Sequence, residues 1–465
     1  MNFRFMRPFH AAAVGILLGS SLTSAWAQAP APRFVRGQYL VVLNDGVADP
    51  GRAAADLANR HGLGVGHVYS NALKGFSATI PDARLKMVGN DPRVKYVEQD
   101  QEFEVQGKLE AAAGPAQDGA VLAVQTVPTG IRRIGADLSL AAAIDRVDQR
   151  VNVNVAVLDT GIQSNHPDLN VVGGRNFTTR STSRWADGHG PGTHVAGTIA
   201  AIDNGYGVVG VAPGARLYAA KVLTDQGSGQ TSWIIAGIDW VTSTRTNADP
   251  SDDIAVANMS VGGGSSSAML VALDNAVAKG VVFAVAAGNS RADCRGTSPA
   301  NSTSDGVITT SALADSDGAS GGLGSSTGNG SDDWIATFSN NGRNEAANDF
   351  FGNGVDAIAP GVNIYSTYKG GGYTTMSGTS MASPHAAGVA ALFVSYFKKA
   401  NNGNLPYPVD TKAAVLTSSR SYAMTGDGII FGMGTWRAIN GDYDSGYSNY
   451  MDAAGYEPLI NAEAF

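Results

Sequence analysis

The chain has 465 residues, 43% of them hydrophobic and only 15% charged, with 59 glycines, which suits a leader, a small domain and one large core rich in tight turns. A formal net charge of −8 gives no electrostatic reason to bind phosphate polyanions, so a nucleic-acid partner is excluded at this level. A single cysteine, Cys294, rules out an intrachain disulfide and leaves packing and bound ions to supply stability.

The first residues read as an export signal, residues 1–27. Arg4 and Arg7 are followed by an apolar run, Ala11 to Leu22, and by Ala25-Trp26-Ala27, a small-x-small cleavage site. The run is shorter than the ~20 residues needed to span a bilayer, and no later segment has the length or apolarity of a transmembrane helix. A secreted protein without a membrane partner is therefore expected. Residues 38–105 form a compact unit: "QYLVVLND", "GFSATI" and "VKYVEQD" alternate as strands, and "RAAADLANRHG" is a helix stopped by Gly62. The following small, polar residues 106–123 read as a linker.

Beyond residue 124 the strands become unbroken apolar runs, "VNVAVLDT", "RLYAAKVL", "IAVANMSV" and "VVFAVAAGN". Helical stretches such as "TSWIIAGIDWVTSTR" and "MLVALDNAVAKG" lie between them. This pattern predicts an α/β domain of three layers, a mostly parallel sheet with helices on both faces, preceded by the small α+β unit. Ligands of such sheets sit beyond the carboxyl ends of the strands, where Asp159, Ser260 and Asn289 fall. Residues 316–332, rich in Gly and Ser, read as a mobile loop insertion. Cys294 follows "GNSRAD" close to Asn289, but a lone thiol without an adjacent histidine reads as structural.

Ser380 opens an apolar helical run after Gly378. A serine there faces unpaired backbone N–H groups that favour developing negative charge. The blocks "VAVLDTGI", "HVAGTIAA", "NMSVGGG", "AVAAGNS" and "GTSMASPH" occur in the order seen in the subtilisin family of serine proteases. Residues 124–465 thus resemble a subtilisin-like peptidase domain, and the unit ending "VKYVEQD" resembles the inhibitor propeptide that chaperones these enzymes. The division this implies is a propeptide at 28–110, a linker with the processing site at 111–123, and a peptidase at 124–465. Cleavage is expected near Ala123, within a window of 106–124.

The resemblance implies roles residue by residue. Asp159 would orient and stabilise an imidazolium, Ser380 would form the acyl-enzyme, and Asn289 would donate to the oxyanion beside the Ser380 N–H. Gly227, Ser228 and Gly229 would form an edge strand for an extended peptide, with Ser260, Val261 and Gly262 as the facing wall of the specificity pocket. Calcium is implied as a structural ion, held by Gln125, Asp168, Asn204 and the carbonyls of Ile202, Tyr206 and Val208. Asp315 with the carbonyl of Pro299 is similar to a second, weaker calcium position. A monomer is expected, with polypeptide substrates and its own propeptide as partners.

One block departs from the family. Its motif is G-H-G-T-H, whose first histidine is the general base, but this chain reads "DGHGPGTH", with Pro191 in that place. Proline suits the first turn of a helix and accepts no proton. His194 matches the second, structural histidine. His189 lies two residues upstream, about 6–7 Å of extended chain, and could reach Ser380 only if the Gly188–Gly190 loop refolded towards it. The expectation is a secreted endopeptidase acting through an acyl-enzyme with its base replaced. The alternative is a pseudoprotease that binds peptides without efficient hydrolysis. An α/β-hydrolase is excluded, because "GTSMA" is not G-x-S-x-G and the triad order is wrong.

Overall fold

The computed structural model describes residues 31–109, 124–342, 354–418, 422–425, 428–431, 459–463 and 465. The export signal and most of the linker lie outside them.

The N-terminal unit is built from β1 (Phe34–Leu43), α1 (Pro50–His61), β2 (Gly64–Tyr69), β3 (Gly75–Thr79), α2 (Asp82–Gly89) and β4 (Val94–Val105), followed by a two-residue strand β5 (Lys108–Leu109). Asp49 caps α1 by accepting from Arg52 N–H, and Gly62 ends it with φ of 67°, a left-handed turn that glycine takes without strain. The antiparallel sheet β4-β1-β3-β2 buries Val41, Leu43, Phe76, Ala78 and Ile80 against Ala53, Ala54 and Leu57 of α1. The predicted strands and helix are present. Helix α2 and strand β2 lie outside the prediction; burial of only Val88 from α2 explains why no apolar stripe announced it.

The large domain follows as α3 (Thr129–Arg133), β6 (Asn154–Asp159), β7 (Val171–Asn176), α4 (Pro191–Ala200), β8 (Arg216–Lys221), β9 (Ser228–Gln230), α5 (Thr231–Thr244), β10 (Val256–Met259), β11 (Val261–Gly264), α6 (Ser267–Ala278) and β12 (Val282–Ala286). It continues with β13 (Thr297–Ser298), β14 (Val307–Ala314), β15 (Trp334–Ile335), β16 (Ala357–Pro360), β17 (Ile364–Tyr368), β18 (Gly372–Ser377), α7 (Thr379–Ala400), α8 (Pro408–Ser418) and the hairpin β19 (Tyr422–Thr425) and β20 (Gly428–Phe431). The central sheet runs β15-β14-β12-β10-β6-β8-β7, with β16 also on β14, and only the β14–β15 pair is antiparallel within it. Every residue of β6, β10, β12 and β14 is buried, as unbroken apolar strands covered on both faces must be. One core packs α4 and α7 against the sheet, and the other packs α5 and α6.

The two units share a sheet. β4 inserts between β9 and β11, with Phe103 opposite both Gly229 and Gly263, so the N-terminal unit joins two strands of the large domain. Beyond it, β5 pairs with β18, Leu109 facing Met376 and Lys108 facing Ser377. The segment read as the start of a linker therefore crosses the domain as extended chain. The 316–332 insertion is closed by hydrogen bonds to carboxylates: Asp332 accepts from the N–H groups of Ser316 and Gly324, and Asp333 from those of Gly321 and Gly322.

Candidate active site

Three predicted residues stand at the carboxyl edge of the sheet or at a helix start. Asp159 ends β6, Asn289 follows β12, and Ser380 lies in the first turn of α7. The Ser380 N–H donates to the carbonyl of Gln106 at 3.1 Å, and Asn289 Nδ2 donates to the same oxygen at 2.6 Å. Two preformed donors on one carbonyl oxygen form a pocket able to hold negative charge there. The bond they address is Gln106–Gly107. Gly378 (φ 153°) makes room for it: a Cβ there would lie 2.4 Å from the Gln106 oxygen, so a side chain would expel the peptide from Ser380.

Asn289 owes its aim to a residue absent from the sequence reading. Thr379 donates to Asn289 Oδ1 from both its N–H and its Oγ1, each at 2.9 Å, and this turns the amide nitrogen towards Gln106. Adjacency to Ser380 in the motif was the one signal available for it.

The remaining substrate-cleft residues are also brought together. Val105 N–H donates to the Gly227 carbonyl at 3.0 Å, and Gln106 N–H to the Ser260 carbonyl at 3.1 Å. Glu104 pairs with Ser228 and with Gly262, and Val105 with Val261. The peptide is thus held on both sides as a strand, which needs only backbone groups and tolerates many sequences. Phe103 is fully buried over Gly263, where a Cβ would meet its ring at 2.8 Å. A cavity of about 370 Å³ adjoins Gln106, lined by Gly262, Gly263, Gly288 and Asn340 together with Arg33, Glu102 and Glu104 of the N-terminal unit.

No histidine is hydrogen-bonded to the Ser380 hydroxyl among the described residues. Ser380 Oγ donates to the Ser260 carbonyl at 3.0 Å, and a carbonyl takes no proton from an alcohol. Asp159 is completely buried; its Oδ1 accepts from Thr160 N–H at 2.6 Å, while Oδ2 has no partner among the described residues. Burial pushes its carboxyl up to about 7. Pro191 is the first residue of α4. Asp187 caps that helix, accepting from Thr193 N–H at 2.9 Å, and it also accepts from Thr160 Oγ1. The fold accommodates proline without loss.

Among the described residues no hydrogen bond joins His189 to Ser380, whose Oγ donates to the Ser260 carbonyl. Its imidazole lies beside Gly227 and Val105, with Nε2 2.9 Å from where a Gly227 Cβ would stand. The loop carrying it is tied down: Asp187 accepts from the His189 and Gly190 N–H groups, Tyr368 Oη donates to the His189 carbonyl at 3.0 Å, and Lys369 donates to the Gly188 carbonyl. These four contacts hold the loop in the observed conformation. His194 Nε2 is engaged by the Ile364 carbonyl and His385 Nδ1 by the Met381 carbonyl, and burial holds both rings down near 4.

Of the residues implied for calcium, the side chains of Gln125, Asp168 and Asn204 and the N–H groups of Ile202, Tyr206 and Val208 are linked by hydrogen bonds. Gln125 Oε1 accepts from the N–H groups of Asn204 and Gly205 at 3.0 and 2.7 Å. Asp168 Oδ1 accepts from Asn204 Nδ2 and Oδ2 from Val208 N–H, Ile202 N–H bonds the Asp168 carbonyl, and Tyr206 N–H bonds Asn204 Oδ1. Asp168 is fully buried with no cationic side chain bonded to it among the described residues, and burial lifts its carboxyl to about 7. An oxygen-rich loop around an uncompensated carboxylate fits a hard cation.

A serine at a helix N-terminus, an amide opposite it and a peptide strand laid across both define a serine peptidase of subtilisin-like architecture, here with its inhibitor-type unit in the cleft. The chain belongs to the Subtilase family, whose profile matches residues 150–434, and the profile described as peptidase inhibitor I9 matches residues 38–106. It is 40% identical over 363 residues to subtilisin E of Bacillus subtilis (strain 168), covering 78% of this chain and 80% of that protein. It is 42% identical over 307 residues to a subtilisin of Bacillus pumilus, covering 66% and 97%. A solved structure titled as a cold adapted subtilisin-like serine proteinase shares 34% identity with it, at a TM-score of 0.45 over 60% of this chain and 92% of that one. No helix among the described residues is long and apolar enough to cross a membrane.

Proposed function

We propose that this chain is an exported precursor that binds extended polypeptide in its cleft, its own propeptide first, and that Pro191 deprives Ser380 of the base needed to form an acyl-enzyme efficiently. The observation that carries this reading is the Ser380 hydroxyl donating to the Ser260 carbonyl while Asp159 Oδ2 stays without a partner. In this reading Ser380 and Asn289 hold the scissile carbonyl, Gly227–Gly229 and Ser260–Gly262 hold the strand, and His189 takes no proton from the serine. What survives is oxyanion stabilisation and positioning, which alone are worth roughly 10³–10⁴-fold over water, far below a working triad. Calcium, when bound, would supply a charge partner for Asp168, with Gln125, Asn204 and the carbonyls of Ile202, Tyr206 and Val208 completing its shell and fixing the 202–208 loop.

The experiment is expression of the full precursor as wild type, P191H, and P191H with S380A. The wild type is expected to keep its propeptide and to hydrolyse a peptide ester only at the residual rate. P191H is expected to process itself and to gain at least about 10⁴-fold in kcat/KM, and the added S380A should abolish both. Self-processing by the wild type that is lost in S380A would overturn the proposal and establish a working endopeptidase.

A further inference from the structure

Pro384 lies inside α7, four residues after Ser380. The α-helical donor to the Ser380 carbonyl would be the N–H at 384, which proline lacks. A donor comes instead from the end of β10: Ser260 Oγ donates to the Ser380 carbonyl at 3.0 Å. The two serines answer each other, because Ser380 Oγ donates to the Ser260 carbonyl, and that carbonyl also accepts the Gln106 N–H. Two further side chains hold the Ser260 hydroxyl. Asn258 Nδ2 donates to it at 2.8 Å, and Ser383 Oγ lies 3.1 Å from it. An amide nitrogen only donates and a carbonyl only accepts, so the hydroxyl between them accepts from Asn258 and gives its proton to Ser380, leaving Ser383 to donate. Asn258, Ser260 and Ser383 have no exposed surface. Asn258 stands within β10, paired with Val157 of β6 and Ala284 of β12, and its Oδ1 has no partner among the described residues. A buried acceptor without a donor is costly, so packing alone would favour an apolar side chain there. What the amide contributes is its bond to Ser260.

We infer that Asn258 and the Ser260 hydroxyl are positioning groups for Ser380: the hydroxyl replaces the helix donor that Pro384 cannot supply, and Asn258 fixes the hydroxyl, so that the first turn of α7 aims the Ser380 N–H at the scissile carbonyl. The peptide plane that carries this N–H lies between two anchored planes. The one before it is bonded through Thr379 N–H to Asn289 Oδ1, and the one after it through the Ser380 carbonyl to Ser260 Oγ. One donor of the oxyanion pair is thus aimed by Thr379 and the other by Asn258 and Ser260. Neither Asn258 nor the Ser260 hydroxyl touches the reacting atoms; both act through the backbone of residue 380. This role rests on the reading that Ser380 and Asn289 hold the Gln106 carbonyl, and it is independent of the part played by Pro191.

The test is amide hydrogen exchange by NMR on the full precursor, isotope-labelled at serine nitrogen, as wild type, N258L, S260A and S260A with P384A. The amide of Ser380, bonded to the Gln106 carbonyl, is read against that of Ser311, buried in β14. No turnover is needed, so the outcome does not depend on whether P191H gains activity. N258L and S260A should each speed exchange at Ser380 by about tenfold or more relative to Ser311, the effect of roughly one lost hydrogen bond. P384A restores an N–H that can reach the Ser380 carbonyl, so adding it to S260A should bring Ser380 back to within about threefold of the wild type. A merely structural role would move both amides together and gain nothing from P384A. S260A removes a single oxygen, so it decides the matter even where N258L disturbs β10. Unchanged exchange at Ser380 in either single variant, or no recovery with P384A, would overturn the inference alone. A Ser380 amide without protection in the wild type would overturn it together with the reading on which it rests.

Discussion

At position 191 proline is compatible with the start of α4, and in the proposed reading it is the residue that decides the chemistry. Proline has no N–H to lose at the start of α4 and its φ suits that turn, while Thr160 Oγ1 accepts from the Gly192 N–H and Asp187 from that of Thr193. The consequence falls on Asp159. Its carboxyl is held up at about 7 against an ordinary 3.8, so the folded protein binds that proton more tightly than the unfolded chain. The stabilisation from the bound proton is complete below about 4 and is lost as pH rises towards and through 7. Asp159→Asn removes that titration. Relative to wild type, D159N should gain roughly 2–3 kcal/mol between pH 5 and pH 8, read as a difference in unfolding free energy that opens with pH. A difference that is the same at both values would mean that Asp159 is not an isolated buried acid. At this scale the sequence was informative where a residue's place in a motif sets its role, as for Asp159, Ser380, Asn289 and Pro191. It was silent on Thr379, Asp187 and Tyr368, whose roles come from partners brought near by folding: Thr379 meets Asn289 from 90 residues away and Tyr368 meets His189 from 179.

At the scale of elements, β4 links the two halves. "VKYVEQD" predicts a strand, and the strand is there but runs on to Val105, and nothing local says that its second half leaves the propeptide sheet to lie between β9 and β11. Two carboxylates on it meet the starts of two peptidase helices. Asp100 accepts from Ser232 N–H and Oγ at the start of α5, and Glu98 from Ala268 N–H and Ser266 Oγ at the start of α6. Helix N-termini carry unpaired N–H groups and partial positive charge, so each contact is a charge-assisted cap. Phe103 adds an apolar anchor with no exposed surface. F103A should weaken the hold of the propeptide by about 3–5 kcal/mol, and D100A by about 1.5–3 kcal/mol. Both should appear as a lower urea midpoint for release of the propeptide unit in the uncut chain, followed by proteolysis. D82A, on the exposed start of α2, serves as control; if all three behave alike, the docking described here does not hold the unit in place.

At the scale of the whole molecule, the uncut chain fills its own cleft on both sides of one bond. Upstream of Gln106 the strand pairs with β9 and β11; downstream, Lys108 and Leu109 pair with β18. A chain that is paired on both sides and presents the Gln106 carbonyl to two donors supports the proposal that Gln106–Gly107 is the first bond cut, at the N-terminal limit of the window read from the sequence and well before Ala123. The sequence could not narrow the window, because a small polar segment carries no pattern until the cleft gives it one. In P191H the first product should therefore begin Gly107-Lys108-Leu109, found by N-terminal sequencing of protein quenched early, with any later trimming towards Gln125 arising in a second step. A first product beginning at Val124, with Gln106–Gly107 intact, would show that the segment seen in the cleft is a plug and not the substrate. In the wild type the same geometry has the opposite effect. With no base to break the bond, the intramolecular strand stays at an effective concentration that competing peptides must overcome, so peptide binding in trans should appear only after another protease has cut the 110–123 segment and the propeptide has been released.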